Sequence, residues 1–341
     1  MEFLYEYGLF LLQAVTIVVA ILAVVGGIAG IAAKQKSSKG ELEISSISEK
    51  LQDLTEHTKS LILSKDQFKK WQKEEKEKAK KQEKERKSKG DEDTEPRVYV
   101  IDFKGSVDAK EVDNLREEVT AILTVAEKGD EVLVRLESPG GAVHGYGLAS
   151  SQLARLKNAG LHLTVAVDKV AASGGYMMAS VAEKIIAAPF AYIGSIGVVA
   201  QMPNFNKLLK KNDIDFEQHT AGEFKRTITL FGENDDEGRA KFKEELEEIH
   251  TQFKTHVKQN RDVVDIDKVA TGEHWLANVA KEMNLVDEIK TSDDYLLERC
   301  QNHEIYKVTF KQRKNLADKL THAASMSLTS VLSRLNHWRY Q

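Results

Sequence analysis

A chain of 341 residues, 41% of them hydrophobic, has room for one large domain or two modest ones plus extensions, and enough apolar material for a substantial core. Its 49 Lys and Arg against 53 Asp and Glu leave a net charge of −4, which says little about partners because local asymmetry is strong. The single cysteine, Cys300, excludes disulfides within the chain, which suits a cytoplasmic location without ruling out a periplasmic one.

From Gly8 to Ala33 the chain reads "GLFLLQAVTIVVAILAVVGGIAGIAA", 26 residues without a charge. As a helix this run extends roughly 39 Å, enough to cross a hydrocarbon core of about 30 Å with some tilt. It is too long for a signal-peptide core, and no Lys or Arg precedes it, so a retained anchor is expected. Glu2 and Glu6 precede the run while Lys34, Lys36 and Lys39 follow it, which favours a cytoplasmic position for the rest of the protein. Residues 34–96 follow as a charged stalk or linker. "KKWQKEEKEKAKKQEKERKSKGDEDTEP" alternates Lys with Glu and has no interleaved aromatic array, so a solvated helix is expected rather than a nucleic-acid surface. Gly90 and Pro96 punctuate its end.

After Arg97 the pattern changes. "VYVIDF", "EVLVRLES" and "LHLTVAV" read as strands, separated by the amphipathic "DAKEVDNLREEVTAILTVA" and the helical "GLASSQLARLKNAG". "KIIAA" and "SIGVVAQ" are further strand candidates, and a long helix is expected near Asp235 to Arg261. This alternation predicts an α/β domain over 97–300 built of strand-strand-helix or βαβ units. Residues 301–341 are expected to form a C-terminal extension of a strand and an amphipathic helix. Its Leu328, Val331, Leu332, Leu335 and Trp338 fall at helical spacing, which suits a helix packed on its own assembly or one lying on a membrane surface.

No HExxH, paired CxxC or P-loop occurs, and His250 and His256 are six residues apart, off one helix face, so no metal or cofactor is expected. "GYGLAS" only half-resembles a dinucleotide loop. Two glycine turns carry more information. "ESPGGAV" places Pro139, Gly140 and Gly141 at the carboxyl end of a strand. "VAASGGYMMAS" places Ser173 between the next strand and a helix, where backbone N–H groups are unpaired. Each has a structural reading, a tight turn or a helix N-cap, and a chemical one, an oxyanion hole beside a nucleophile. Neighbouring strands would bring both turns to one sheet edge. No histidine lies between Ser173 and His219, so a histidine base is not at hand. A lysine serves instead where burial and neighbouring positive charge favour its neutral amine.

"ESPGGAV", "VAASGGYMMAS", "YIGSIGV", "AGEFKRTITLFGEN" and "VATGEHWLANVAKEMNLVDEI" occur in this order. Together they resemble the signal peptide peptidase A family of serine–lysine peptidases over roughly Arg97 to Lys290. The anchor, stalk and single-length peptidase region are similar to a single-length branch of that family. The resemblance implies Ser173 as nucleophile and Lys225, 52 residues further on between Phe224 and Arg226, as general base. It implies Ser195 as the hydroxyl that orients the lysine, and the N–H groups of Gly140, Gly141 and Gly174 as the oxyanion hole. It further implies a crotonase- or Clp protease-like fold and a ring-shaped homo-oligomer, with the dyad shared between subunits. The substrates would be flexible peptides such as signal-peptide remnants or misfolded envelope proteins. The location it implies is the bacterial inner membrane, with the catalytic domain facing the periplasm, against the cytoplasmic side favoured by the flanking charges. Two alternatives stand beside it: an acyl-CoA enzyme using the same glycine turn without a nucleophilic serine, and a non-catalytic membrane scaffold.

Overall fold

The computed structural model describes Thr16, residues 40–89 and residues 96–312. Apart from Thr16, the apolar run Gly8–Ala33 lies outside the described residues, as does the helix expected around Leu328–Trp338. Among the described residues no helix is long and apolar enough to cross a membrane. Leu42–Phe310 forms one compact unit.

In chain order the elements are β1 (Gly40–Ser46), α1 (Ile47–Ile62), α2 (Lys65–Lys89), β2 (Arg97–Lys104), α3 (Val112–Val125), β3 (Glu131–Glu137) and α4 (Val143–Asn158). They continue with β4 (His162–Val167), β5 (Val170–Ala172), α5 (Gly174–Ala179), β6 (Lys184–Ala187), β7 (Tyr192–Gly194) and α6 (Asn206–Lys211). The last are α7 (Asp236–Asn260), α8 (Ile266–Val269), β8 (His274–Leu276), α9 (Ala277–Glu282), β9 (Glu288–Ile289), α10 (Ser292–Arg299) and β10 (Glu304–Gln312).

The result is an α/β fold with two sheets. The larger has seven strands in the order β1-β10-β2-β3-β4-β6-β9, and the smaller has β5-β7-β8. The pairings from β10 through β9 are parallel, and the expected strands at 98–103, 131–138 and 161–167 are its centre. A parallel sheet covered on both faces needs near-continuous apolar strands, and β2 supplies one. Tyr99, Ile101 and Phe103 join the main core with Leu115, Ile122, Leu153 and Leu156 from the helices. Val98 and Val100 face the other way, toward Leu133, Tyr295, Leu296 and Ile305. The stalk differs from expectation at its start: Gly40–Ser46 is an edge strand of the large sheet, and only α1 and α2 are surface helices with no buried residue identified in α1. β10 lies in the large sheet between β1 and β2.

The chain steps from the large sheet to the small one twice before entering new structure. β4 leads through Asp168 and Lys169 into β5 and then α5, and β6 leads into β7. Asp168 fixes the first step by accepting from Ser292 N–H (2.9 Å) and the Ser292 hydroxyl (2.6 Å), tying it to α10. Arg261, 6% exposed, is held bidentately by Asp287 (2.7 and 3.1 Å), which also accepts Ile185 N–H at 2.7 Å. This pair joins the end of α7 to the β6–β9 edge.

One buried carboxyl breaks the apolar stripe of α3. Glu118 lies among Leu115, Val119 and Ile122 and accepts Phe310 N–H from β10 at 2.8 Å. Burial pushes it up to about 7, the Phe310 N–H opposes the rise, and the charge of nearby Asp102 adds to it. The native state therefore holds a proton that the unfolded chain releases above its ordinary value of 4.5. This contribution is fully present below that pH and is lost as pH climbs through about 7. The ionised form costs on the order of 3 kcal/mol. Glu118→Gln keeps the acceptor without the charge, so it is expected to melt above wild type at pH 8 and level with it at pH 4.5. Parallel melting-temperature profiles across that range would show that Glu118 does not titrate this way.

Candidate active site

The register of the small sheet sets the site. β5 pairs with β7 in parallel, Ala172 opposite Gly194, so the next residues on the two strands are Ser173 and Ser195. Ser173 N–H donates to Gly194 C=O at 2.8 Å, and Ser195 N–H donates to Glu273 C=O at 2.6 Å. Both serines have left-handed backbone, φ 51° at Ser173 and 53° at Ser195. A non-glycine residue in that region costs about 1–3 kcal/mol and persists where its surroundings over-determine it. At Ser173 (ψ −119°) the strain turns the chain sharply from β5 into α5, and its side chain makes no cap hydrogen bond. The N-cap reading of Ser173 therefore accounts for its position but not for its hydroxyl.

The turn after β3 meets the same place. Ser138 bridges to Ala171, with Ser138 N–H donating to Val170 C=O at 2.8 Å and Ala172 N–H donating to Ser138 C=O at 3.0 Å. Both glycine turns thus sit at one edge, as the strand order predicts. Gly140, at φ 91°, lies so near that an added Cβ would stand 2.7 Å from Ser173 Cβ. A Cβ on Gly141 would fall 2.0 Å from Val107 C=O, and one on Gly174 would fall 2.4 Å from the Tyr146 ring. Glycine is required at all three positions because backbone or ring occupies the side-chain space.

Of the three amides expected in the oxyanion hole, Gly140 N–H is already donated to Ser138 Oγ at 3.0 Å. Gly140 therefore shapes the turn, and among the described residues the amides of Gly141 and Gly174 beside Ser173 have no acceptor. Sequence reasoning missed the buried relay that fixes this turn. Tyr146 donates its hydroxyl to Ser106 C=O at 2.9 Å and accepts from Ser138 Oγ at 2.5 Å. Burial pushes the Tyr146 phenol up, so it stays a neutral donor. Tyr146 lies inside "HGYGLAS", a stretch whose glycines drew attention away from its tyrosine. A second missed tie is His256, whose Nε2 bonds Ser150 Oγ (3.1 Å) and Met177 C=O (3.0 Å), locking α7 to α4 and α5. Burial lowers His256, and the Met177 carbonyl opposes this.

Ser173, Gly140, Gly141, Gly174 and Ser195 line a single cleft of about 850 Å³. Its remaining wall is mainly apolar, with Val107, Met177, Val199, Ile249 and Phe253, and includes Thr271 and Gly272 from the "VATGEHW" block. Lys225 does not line it. The 52-residue segment from Ser173 to Lys225 carries the lysine onto an exposed loop, where its N–H bonds Gly222 C=O at 3.2 Å. That loop is anchored on its far side: Asn204 Nδ2 donates to Thr229 and Gly232 C=O (both 3.0 Å) and Asn206 Nδ2 to Phe231 C=O (2.8 Å). So the structure joins Ser173 to Ser195 and the glycine turns within one chain, and does not bring Lys225 to them. Among the described residues no group of three or more His, Cys, Asp or Glu is placed to hold a metal ion.

The open amides give a test. Gly141→Ala forces the backbone away from Val107, so kcat on an unfolded protein substrate is expected to fall about 10²–10³-fold, the range for losing one oxyanion donor. A kcat within a factor of about three of wild type would show that the Gly141 amide is not such a donor.

Comparison with known proteins identifies the family. Peptidase family S49 N-terminal matches residues 2–153 and Peptidase family S49 matches residues 155–305. The probable protease SohB of Haemophilus influenzae is 52% identical over 339 residues, covering 98% of this chain and 96% of its own. The probable protease SohB of Buchnera aphidicola from Schlechtendalia chinensis is 48% identical over 313 residues, covering 88% of this chain and 100% of its own. A ClpP1 mutant structure from Listeria monocytogenes aligns with TM-score 0.40 at 14% identity, over 58% of this chain and 94% of that one. SohB is the single-length branch that the order of the sequence motifs resembles. The chain is a peptidase and belongs to peptidase family S49.

Proposed function

We propose that this peptidase is a membrane-anchored serine endopeptidase in which Ser173 is the nucleophile and Lys225 of the partner subunit is the general base. The observation that carries the reading is the Ser173 backbone: strained at φ 51°, its hydroxyl uncommitted, and facing an apolar cleft beside the open amides of Gly141 and Gly174. In this mechanism the neutral lysine amine takes the Oγ proton as Oγ attacks the peptide carbonyl carbon. The Gly141 and Gly174 N–H groups bind the oxyanion. The resulting lysine ammonium gives its proton to the leaving amine, leaving an acyl-enzyme. A water deprotonated by the same lysine then attacks the ester, and the lysine ammonium returns that proton to Oγ as the acyl–oxygen bond breaks and frees Ser173. Ser195, at the register position beside Ser173, orients the lysine.

Assembly of several copies is part of the same reading. Lys225 sits on a segment that exposes Val199, Leu208, Ile214, Phe216 and Phe224, an apolar display that a second copy would cover. Burial at such an interface would favour the neutral amine that a base requires. The uncharged run Gly8–Ala33 would anchor the assembly in the bacterial inner membrane. The apolar cleft suits extended, apolar peptides, the character of signal-peptide remnants and misfolded envelope proteins. Incubation of the assembled protein with casein tests the reading: peptides should accumulate with wild type and not with Ser173→Ala or Lys225→Ala. Cleavage by either variant at the wild-type rate would refute it.

A further inference from the structure

The wall of the Ser173 cleft contains one titratable ring. α7 presents Ile249, His250 and Phe253 to the cleft, and among the described lining residues His250 is the only one with a side-chain N–H. Its Nε2 is shut off from water and has no hydrogen-bond partner among the described residues. Buried polar groups without partners are uncommon in folded proteins, and one at a ligand cleft calls for an account of what satisfies it. His250 is not the base for Ser173, because an Nε2 without a partner is not bonded to Ser173 Oγ, and a base must reach the proton it takes. Nor does any carboxylate of the cleft wall orient the ring.

A peptide lying in this cleft raises the complementary demand. Gly141 and Gly174 serve the carbonyl that reacts, while the flanking carbonyls enter a wall of Val107, Met177, Val199, Ile249 and Phe253 that offers no side-chain donor. Pockets of this kind are mostly apolar with a few placed polar groups that fix the ligand's orientation. The χ2 torsion of histidine is soft, so reorienting the ring toward a bound peptide costs little. We infer that His250 is a substrate-positioning residue, its Nε2–H donating to a backbone carbonyl oxygen of the bound peptide next to the one attacked. This rests on reading the cleft as the peptide site. The free protein leaves the donor unsatisfied and the substrate satisfies it, so the bond contributes to binding without competing against a bond in the empty site.

The test uses the full-length assembled protein and a fluorescein-labelled casein peptide, with affinity read by anisotropy in the Ser173→Ala background. Adding His250→Leu is expected to raise Kd about tenfold, and His250→Gln, whose amide also donates, to return it to within about threefold. In the active enzyme the same substitution should raise KM and leave kcat within about twofold. The melting temperature should not fall, since Nε2 has no bond to lose. Equal affinity with and without His250→Leu, including no measurable affinity in either, overturns the inference. So does a collapse of kcat at unchanged KM, which would make His250 part of the proton transfer. If Ser173→Ala still cleaved, the nucleophile assignment would fall while the binding constants still reported on His250.

Discussion

Ser173→Ala is expected to lower kcat/KM on casein by at least about 10³-fold while leaving the melting temperature and assembly unchanged. The size follows from the role. A nucleophile cannot be replaced by better binding, and the activity left would come only from the cleft and the Gly141 and Gly174 amides. The fold has little reason to notice the change. The hydroxyl makes no cap hydrogen bond, the backbone bonds to Gly194 C=O and from Met177 N–H do not involve it, and alanine adopts the same φ at similar cost. Ser173→Gly carries the argument further, because glycine removes the left-handed strain. It should be equally inactive without losing stability beyond the entropy cost of glycine. If Ser173→Ala kept more than about a tenth of wild-type activity, another group would be the nucleophile.

Lys225→Ala is expected to abolish activity to a similar degree, although Lys225 lies outside the Ser173 cleft of its own chain. Here the effect should depend on assembly. Lys225→Arg keeps the positive charge and much of the length but cannot supply a neutral amine, so it should be as inactive as alanine. If arginine sustained turnover, the residue would act by charge alone. Substitutions at the exposed apolar residues of the same segment, such as Phe216→Ser, should lower activity in proportion to the loss of assembly, with each fully assembled particle retaining wild-type kcat.

The large sheet was legible because its strands, buried on both faces, are near-continuous apolar runs, and "VYVIDF" and "EVLVRLES" admit few other readings. The two glycine turns were legible because a Cβ is excluded there by backbone atoms or a ring, which leaves glycine as the mark of the close approach between Gly140 and Ser173. The edge strand Gly40–Ser46 was not. Its residues are mostly exposed, and an edge strand of that kind has no hydrophobic alternation to announce it. Glu118 was hidden for the opposite reason, since a single acidic residue in an amphipathic helix is assigned to the solvent face unless the strand above it is known. Ser138 and Tyr146 form their relay across eight residues of turn and helix, a contact that no period predicts. His250 was weighed only as a metal ligand, and its place on the cleft wall comes from how α7 packs against α5, where His256 bonds Met177 C=O.

The assignment of Gly140 also shows where motif transfer ends. All three glycines belong to the recognised blocks, yet only hydrogen-bond accounting separates the one whose amide is committed to Ser138 from the two whose amides are open. Lys225 is the larger case. The motif names it, while the chain's own geometry leaves it outside the cleft that Ser173 lines; the dyad proposed above, shared between copies, reconciles the two statements.

Mixing two inactive proteins tests that account most directly. Ser173→Ala chains retain Lys225, and Lys225→Ala chains retain Ser173. When the two are co-expressed in equal amounts and assemble at random, a dyad shared between copies regains intact pairs at about one quarter of its sites. Casein cleavage should therefore return to about one quarter of wild type, with a serine-directed phosphonate labelling only the Lys225→Ala chains. A mixture as inactive as its parents, in particles shown to contain both chains, would contradict a dyad shared between subunits.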